Sequence, residues 1–463
     1  MIDYKVRQEK RGAYLFDRRR GTARFLPQPA FELLQTLSTI GHLPPDWPAA
    51  GLARHFGTNV EEGRQWWRTF ETLGLADERG LRSLQLIPLP DDPAAVPDDC
   101  LAAPARVYFE LTRRCNLACQ TCFNNSHRPL AGELTTSEIC AALDQLDRLG
   151  AFEIRLTGGE PTEHPDFREI IACAKAHGFY VSLGTNGVYD DQKRSWVYDS
   201  GVDWFIVSLD GTPEVNDRVR GPGTYQQVTR TLRELARQPE RRVRLNMVVA
   251  RHNVHCIEDL ARLADQYGVE SLNLIPLRPY GRSARTLIDD MFTQHDFYAF
   301  IRRLQDLRRR YRVQFITTLD LLDPEVTTSH DLIVQKQRTC AAGVEATVIG
   351  ATGDVYGCSY SPASFPDSPD AAGRRLFVAG NLRQESLQTI WRDSARWAVF
   401  RNLAAYKNPR CLSCPHYGTR CVGSCPIMGY HQSGQPAACD PYCFVDLLET
   451  LPGSVHSNAS RVS

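Results

Sequence analysis

The chain lacks an excess of charge of either sign: 54 Lys and Arg stand against 54 Asp and Glu over 463 residues. A general nucleic-acid binder carries a basic surplus or a basic stripe, and neither is present. Long apolar runs are missing too, so no membrane-spanning helix is expected. The segment Met1 to Arg20 is charged and has no apolar stretch of the kind a secretory signal needs, which places the chain in the cytoplasm as an expectation. Disorder is excluded by a hydrophobic share of 42% with 23% charged residues, and the length predicts about three compact units. Against this evenness cysteine stands out. There are 15, an odd number, and they are clustered. Clustered thiols in a long chain without a signal point to metal ligation or redox chemistry rather than to disulfides.

The first unit is predicted over residues 1–90. Strand-like runs at Tyr4 to Gln8, Ala13 to Asp17 and Thr22 to Leu26 precede helical patterns at Phe31 to Leu37, Ala49 to Phe56 and Asn59 to Leu73. In the last, Val60, Trp67, Phe70 and Leu73 recur at helical spacing and Asn59 is placed as a cap. A small sheet followed by three helices predicts a winged helix-turn-helix. A Pro-, Asp- and Ala-rich linker follows, at about 91–104.

The second unit, 105–320, alternates strand and helix. Strands are expected at Arg106–Thr112, Glu153–Thr157, Tyr180–Gly184, Trp204–Leu209, Arg242–Val249 and Ser271–Leu277. Between the first two, Thr135 and Glu138 form a capping box before a helix that buries Ile139, Leu143 and Leu146. Six such repeats predict an α/β fold, a parallel sheet curved into a partial (β/α)6 barrel, with chemistry on the loops at the carboxyl ends of the strands. The third unit, 336–450, is Cys- and Gly-rich with few periodic segments. It is expected to rely on bound metal rather than on apolar burial.

The strand-end loops carry the motifs. After the first strand comes Cys115-Asn-Leu-Ala-Cys119-Gln-Thr-Cys122. Three thiolates on one loop hold three irons of a cubane and leave the fourth open to a small ligand; a zinc site short of one ligand is the alternative. After the second strand stands Gly158-Gly159-Glu160, where glycines permit close backbone approach and a carboxylate accepts from an ammonium. Thr185-Asn186-Gly187 follows the third strand and Ser208-Leu209-Asp210-Gly211 the fourth. In the third unit, Cys340, Cys358, Cys411, Cys414, Cys421, Cys425, Cys439 and Cys443 are eight thiols, enough for two four-ligand sites, iron–sulfur or zinc. Cys256, which begins a helix after the fifth strand, is weighed as a hydrogen-atom donor near the barrel mouth.

This combination resembles the radical S-adenosylmethionine (SAM) superfamily over about 105–320, with a third unit that resembles the SPASM domain. The resemblance implies that Cys115, Cys119 and Cys122 bind a 4Fe–4S cluster whose open iron takes the amino and carboxylate groups of SAM. It implies that Gly158, Gly159 and Glu160 meet the methionyl amine, that Ser208 and Arg220 hold the carboxylate, and that Thr185 and Asn186 lie by the ribose. It further implies two auxiliary 4Fe–4S clusters, three in all. Cys340, Cys358 and Cys425 match the first, with Cys439 or an open iron as its fourth position. Cys411, Cys414, Cys421 and Cys443 match the second, although six residues separate Cys414 from Cys421 where the family has five.

Ahead of such a chain, the first unit resembles a precursor-peptide recognition element. Glu61, Glu62 and Glu71 on its last helix disfavour phosphate binding. The function implied is a radical SAM enzyme that modifies a ribosomally made precursor peptide bound through its leader, by cross-link, thioether, epimerisation or other oxidation. A flavodoxin or ferredoxin is the implied electron donor. The alternatives are a maturase of a protein side chain or of a peptide-derived redox cofactor, and a non-catalytic zinc-rich peptide-binding scaffold.

Overall fold

A computed structural model of the chain describes residues 3–40, 53, 59–72, 75–77, 80–81, 83–89, 96–238, 240–278, 280–317, 340–361, 371–415, 417 and 423–443. Three antiparallel strands open the chain, β1 (Tyr4–Glu9), β2 (Gly12–Asp17) and β3 (Thr22–Pro27), followed by a helix at Gln28–Ile40. The helix Val60–Thr72 is capped as the sequence predicts: Asn59 Oδ1 accepts the Glu62 amide at 2.9 Å. Its Trp67 and Phe70 pack with Val6, Leu15 and Phe31 in a small core. The helix expected at Ala49 to Phe56 lies outside the described residues apart from Ala53, as does Leu73.

Strands missing from the sequence reading complete this unit. A hairpin, β4 (Ala76–Asp77) with β5 (Gly80–Leu81), precedes β6 (Leu84–Ile87), which pairs parallel to β1 at the edge opposite β3. A two- to four-residue strand is too short to show a period of two, which is why the pattern did not reveal it.

The six expected barrel strands are present as β7 (Arg106–Thr112), β8 (Glu153–Gly158), β9 (Tyr180–Thr185), β10 (Trp204–Ser208), β11 (Arg242–Val249) and β12 (Ser271–Pro276). All pair in parallel in chain order, and a seventh, β13 (Gln314–Thr317), extends the row beyond β12. The capping box at Thr135 is formed, and the helix Thr136–Arg148 buries Ile139, Ala142, Leu143 and Leu146 against the sheet. Along β11 the outward side chains are buried and the inward ones half-buried in strict alternation, so the barrel encloses a lumen rather than a filled core.

The third unit corrects the expectation that it lacks an apolar core. Its strands β14 (Ala346–Ile349), β15 (Asp354–Tyr356) and β16 (Val378–Asn381) join the barrel's own sheet, because β14 pairs parallel to β7 on the side away from β8. Trp391, Trp397, Phe377 and Phe400 are buried in a core continuous with that of the barrel. Three short strands and scattered aromatics carry no periodic signature, so this core was invisible along the chain.

The stretch expected as a linker is tied down over 96–104. Leu101 is buried and its amide donates to Val344 O at 2.9 Å. Arg7 and Glu9 of β1 form a buried ion pair at 2.7 Å. Arg7 also donates to Ala103 O (2.7 Å) and Gly150 O (3.0 Å), while Glu9 accepts the Ala102 amide at 2.7 Å. Burial pushes the Glu9 carboxyl up, against the pull of Arg7. Tyr14 and Phe16 of β2 stack on Phe152 at 5.7 and 5.4 Å, so the small sheet closes the end of the barrel where the strands begin. Phe152→Ala is expected to cost about 3–5 kcal/mol, as a large aromatic deletion in a packed core does. The check is the urea midpoint of the full chain, with Phe152→Leu falling between the two.

Candidate functional site

At the opposite end, the loop leaving β7 carries Cys115, Cys119 and Cys122. Backbone contacts hold much of its shape. Cys115 N donates to His127 O (3.2 Å), Cys122 N to Cys119 O (3.3 Å) and Gln120 N to Val219 O (2.8 Å). Arg282, after β12, is a clamp the sequence reading missed. Its amide donates to Cys122 O, its Nε to Cys119 O and its Nη2 to Ser126 O, each at 2.9 Å. Gly281 beside it must be glycine: its φ is +58° and a Cβ there would stand 2.3 Å from Phe123 O. The signal available was position alone, since these residues follow the sixth strand.

The loop after β8 lies against the first. Gly159 N donates to Thr112 O (2.7 Å) and Glu160 N to Arg114 O (2.9 Å). Asn124 Nδ2 donates to Gly158 O at 3.1 Å. A Cβ on Gly159 would sit 2.2 Å from Arg114 O, so both glycines serve contact between two backbones. Glu160 is completely buried and its oxygens accept from Thr162 Oγ1 (2.8 Å), Thr185 Oγ1 (3.0 Å) and Asn186 N (2.7 Å). Burial raises its carboxyl above the ordinary value, opposed by those bonds. It is therefore a tie between the β8 and β9 loops, with its acceptor capacity largely committed before any ammonium arrives. Asn186 Nδ2 in turn donates to Asn116 Oδ1 at 2.7 Å, which brings the β9 loop onto the cysteine loop.

Arg220 is buried and stands 2.8 Å from Asp210 Oδ2, with Asp210 wholly buried beneath it. Neither Nη of Arg220 donates to a described residue, so the guanidinium retains free donors beside Cys119, whose thiol it pulls down against the raising effect of burial. The sequence places Asp210 in the motif after the fourth strand; its role as the base of Arg220 needs coordinates. Ser208, at the end of β10, is half-buried and lies level with Asn246 of β11. Cys256 lies against the loop that follows β10. It is fully buried in the helical layer, and a Cβ on Gly211 would lie 3.2 Å from its sulfur.

All fourteen described cysteines are free thiols, while Cys421 lies outside the described residues. The Cys115 thiol is pushed up to about 12 by burial, reinforced by Glu160, Cys119 and Cys122. Largely buried thiols suit a metal cluster, which deprotonates its ligands outright. Three of them on one loop suit a multi-iron cluster, one thiolate per iron. In the third unit, Cys358 and Cys425 are neighbours with Cys340 beside them, and the guanidinium of Arg278 faces the pair. Cys439 neighbours Cys443 and Cys411.

A sheet of parallel strands with a three-thiol loop, two close-packed glycines and a buried arginine at its carboxyl end defines a radical SAM enzyme with a SPASM domain. The chain belongs to that family, and SAM and iron–sulfur clusters are its cofactors. The radical SAM superfamily profile matches residues 109–264, and the SPASM iron-sulfur cluster-binding profile residues 340–415. The mycofactocin maturase MftC of Mycobacterium ulcerans is 33% identical over 350 residues, 74% of this chain and 88% of the relative. The structure of Streptococcus suis SuiB bound to S-adenosylmethionine superposes with a TM-score of 0.66 at 16% identity, covering 95% of this chain and 98% of that one. SuiB bound to its precursor peptide SuiA gives 0.66 at 15% identity, over 95% and 97%. Among the described residues no helix is long and apolar enough to cross a membrane.

Gly159→Ala is expected to weaken SAM binding by at least about tenfold, because the new methyl cannot coexist with Arg114 O without moving the cysteine loop. Gly184→Ala, whose Cβ would meet Leu156 O at an ordinary 3.5 Å, should leave it unchanged. Equilibrium dialysis of reconstituted protein against labelled SAM checks both.

Proposed function

We propose that the chain is a radical SAM maturase of a ribosomally made precursor peptide, with residues 1–90 as a winged-helix leader-binding domain, 105–320 as the catalytic barrel and 336–450 as the auxiliary-cluster domain. The observation that carries the reading is the convergence of the β7, β8 and β9 loops through Asn116, Asn186 and Glu160 around Cys115. Cys115, Cys119 and Cys122 hold a SAM-binding 4Fe–4S cluster. When bound, that cluster and SAM together supply a 5′-deoxyadenosyl radical that abstracts hydrogen from an unactivated carbon of the peptide.

The chain's own residues position and exclude. Gly158 and Gly159 let the β8 loop close onto the cysteine loop, which presents the methionyl group with a wall of backbone, and Glu160 stiffens that wall from behind. Arg220, neutralised on one side by Asp210, offers its remaining N–H groups to the SAM carboxylate. Ser208 lies near the same carboxylate, and Thr185 and Asn186 border the ribose. Walls of buried backbone keep water from a reactive intermediate, which is the protein's main share of the chemistry.

In the third unit Cys340, Cys358 and Cys425 serve one auxiliary cluster, and Cys411, Cys414, Cys421 and Cys443 the other, three clusters in all. The neighbours of Cys439 favour leaving a position of the first cluster without a cysteine. A flavodoxin or ferredoxin is the proposed electron donor, and the cytoplasm, where thiols stay reduced, the proposed compartment. That SuiB binds its precursor peptide, and that MftC is a maturase, supports a peptide as the substrate. The likeness to MftC equally fits maturation of a peptide-derived redox cofactor.

Replacing Cys115, Cys119 and Cys122 together by Ala should abolish reductive SAM cleavage and leave auxiliary iron bound; 5′-deoxyadenosine at the wild-type rate overturns the assignment. Iron analysis of the anaerobically reconstituted protein should find about twelve irons per chain, whereas about four irons with two zinc ions identify a zinc domain. Anaerobic reaction with a neighbouring encoded peptide and tandem mass spectrometry tests the function itself.

Leader binding is expected at β3, an edge strand of the small sheet among the described residues. Strand addition rests on backbone hydrogen bonds, so affinity should change little with salt and fall when proline replaces a mid-segment leader residue. Titration of the full chain with labelled leader checks this; salt-sensitive binding of duplex DNA with no peptide response overturns it.

A further inference from the structure

The lumen of the barrel holds more positive charge than its own carboxylates neutralise. Arg106 and Arg155 both pair with Glu153, at 2.5 and 2.7 Å, and Ser182 Oγ occupies the same carboxylate at 2.6 Å. Arg244, on the inner face of β11, has no carboxylate within salt-bridge distance among the described residues. Its one hydrogen bond runs from Nε to Ser271 Oγ at 3.1 Å. Its guanidinium lies 4.2 Å from the ring centroid of Trp204, and Arg155 approaches the same ring at 5.3 Å. The indole Nε1 of Trp204 is buried with no acceptor. Arg242, which also lies over the Trp204 ring at 4.9 Å, is paired with Glu270 at 2.5 Å. That leaves Arg106, Arg155 and Arg244 against Glu153 alone, with an orphaned N–H beside them, a group of donors short of an anionic acceptor.

The chain is under electrostatic strain there. Burial, aided by repulsion from Arg155 and Arg106, pulls Arg244 down to about 9. Arg244 keeps some solvent exposure, as does Asn246, the next residue on the same face of β11 toward the site. Asn246 accepts from Asn273 Nδ2 at 3.1 Å and lies level with Ser208, which makes a polar step between Arg244 and the strand ends. Arg244 stands four residues, about 13 Å, below Val248 at the mouth. That depth separates it from Arg220, which lies with Asp210 at the strand ends.

We infer that Arg244, with the indole N–H of Trp204, forms a subsite for a carboxylate of the substrate, which anchors the peptide in the lumen while another of its residues faces the cysteine loop. The inference rests on the peptide reading for its occupant, though not for its chemistry. The carboxylate has two sources, an acidic side chain or a peptide's carboxyl terminus. A guanidinium offers parallel N–H donors to either, and the site is dry enough for the pair to count.

The test uses full-length, anaerobically reconstituted protein saturated with SAM, dialysed against three radiolabelled probes. N-acetylphenylalanine presents a terminal carboxylate, N-acetylglutamic acid α-amide a side-chain carboxylate, and N-acetylphenylalanine amide none. At least one acid should bind saturably and at least about tenfold tighter than the amide, the usual worth of a charge-assisted bond. The acid that binds identifies the source. Arg244→Gln should bring that acid to the level of the amide, and Arg244→Lys should retain part of the preference. Iron content and thermal midpoint equal to the parent show that the variants fold. Should they misfold, the comparison of acid with amide on the parent chain still decides. Equal binding of acid and amide, no saturable binding of either acid, or a preference that survives Arg244→Gln overturns the subsite. An intact acid preference in a protein that modifies no precursor peptide would retain the subsite and remove the peptide reading instead.

Discussion

Strand β7 is hydrogen-bonded on both sides, to β8 across the barrel and to β14 of the third unit, and everything at the site depends on that double pairing. A strand buried between two parallel neighbours cannot slide, because a one-residue slip would reverse every side chain between core and lumen. The cysteine loop leaves from its carboxyl end, so the loop starts from a fixed point. The same pairing sets the third unit's cysteines in register with the barrel. Cys358 follows β15 directly and stands next to Cys425, with Arg278 from the end of β12 facing both. Barrel and third unit are thus one sheet with one core, and the spacing between their thiol sets follows from strand geometry rather than from a flexible joint.

The mouth and the floor of the barrel are built on opposite principles. At the mouth, loops meet backbone to backbone through Gly159, Gly281 and the Arg282 clamp, which leaves thiols and the Nη groups of Arg220 as the free chemistry. At the floor, side chains dominate, with arginines laid on Trp204 and Tyr108 and the small sheet sealing the outside through Phe16, Tyr14 and Phe152. Close backbone packing is suited to holding a cofactor without moving. Flat guanidiniums on aromatic rings keep their donors accessible while their faces are desolvated.

Several features lay in the chain for anyone to read. The six barrel strands and their helices follow from periodicity, and the Thr135 capping box and the Asn59 cap follow from local chemistry that no distant contact can override. The thiol spacing on the β7 loop is local too: the residues that make it lie within eight positions of one another, from Cys115 to Cys122. The short strands β4 to β6 and β13 escaped because two to four residues carry no period. The third unit's apolar core escaped because its tryptophans are separated along the chain and meet only in space.

The residues of the site divide on the same physical line. Sequence alone determined which side chains could ligate, because cysteine clusters and paired glycines act through their own atoms and their immediate neighbours. Only the tertiary structure decided what each charged residue does, because a carboxylate or guanidinium takes its role from whatever partner folding brings to it. Glu160 became a tie between loops, since Thr162, Thr185 and Asn186 all reach it. Asp210 became the base of Arg220 across a ten-residue gap. Arg244, one arginine among many along the chain, was left without a counter-charge only because β8 and β7 committed the nearest carboxylate, Glu153, to Arg155 and Arg106 first.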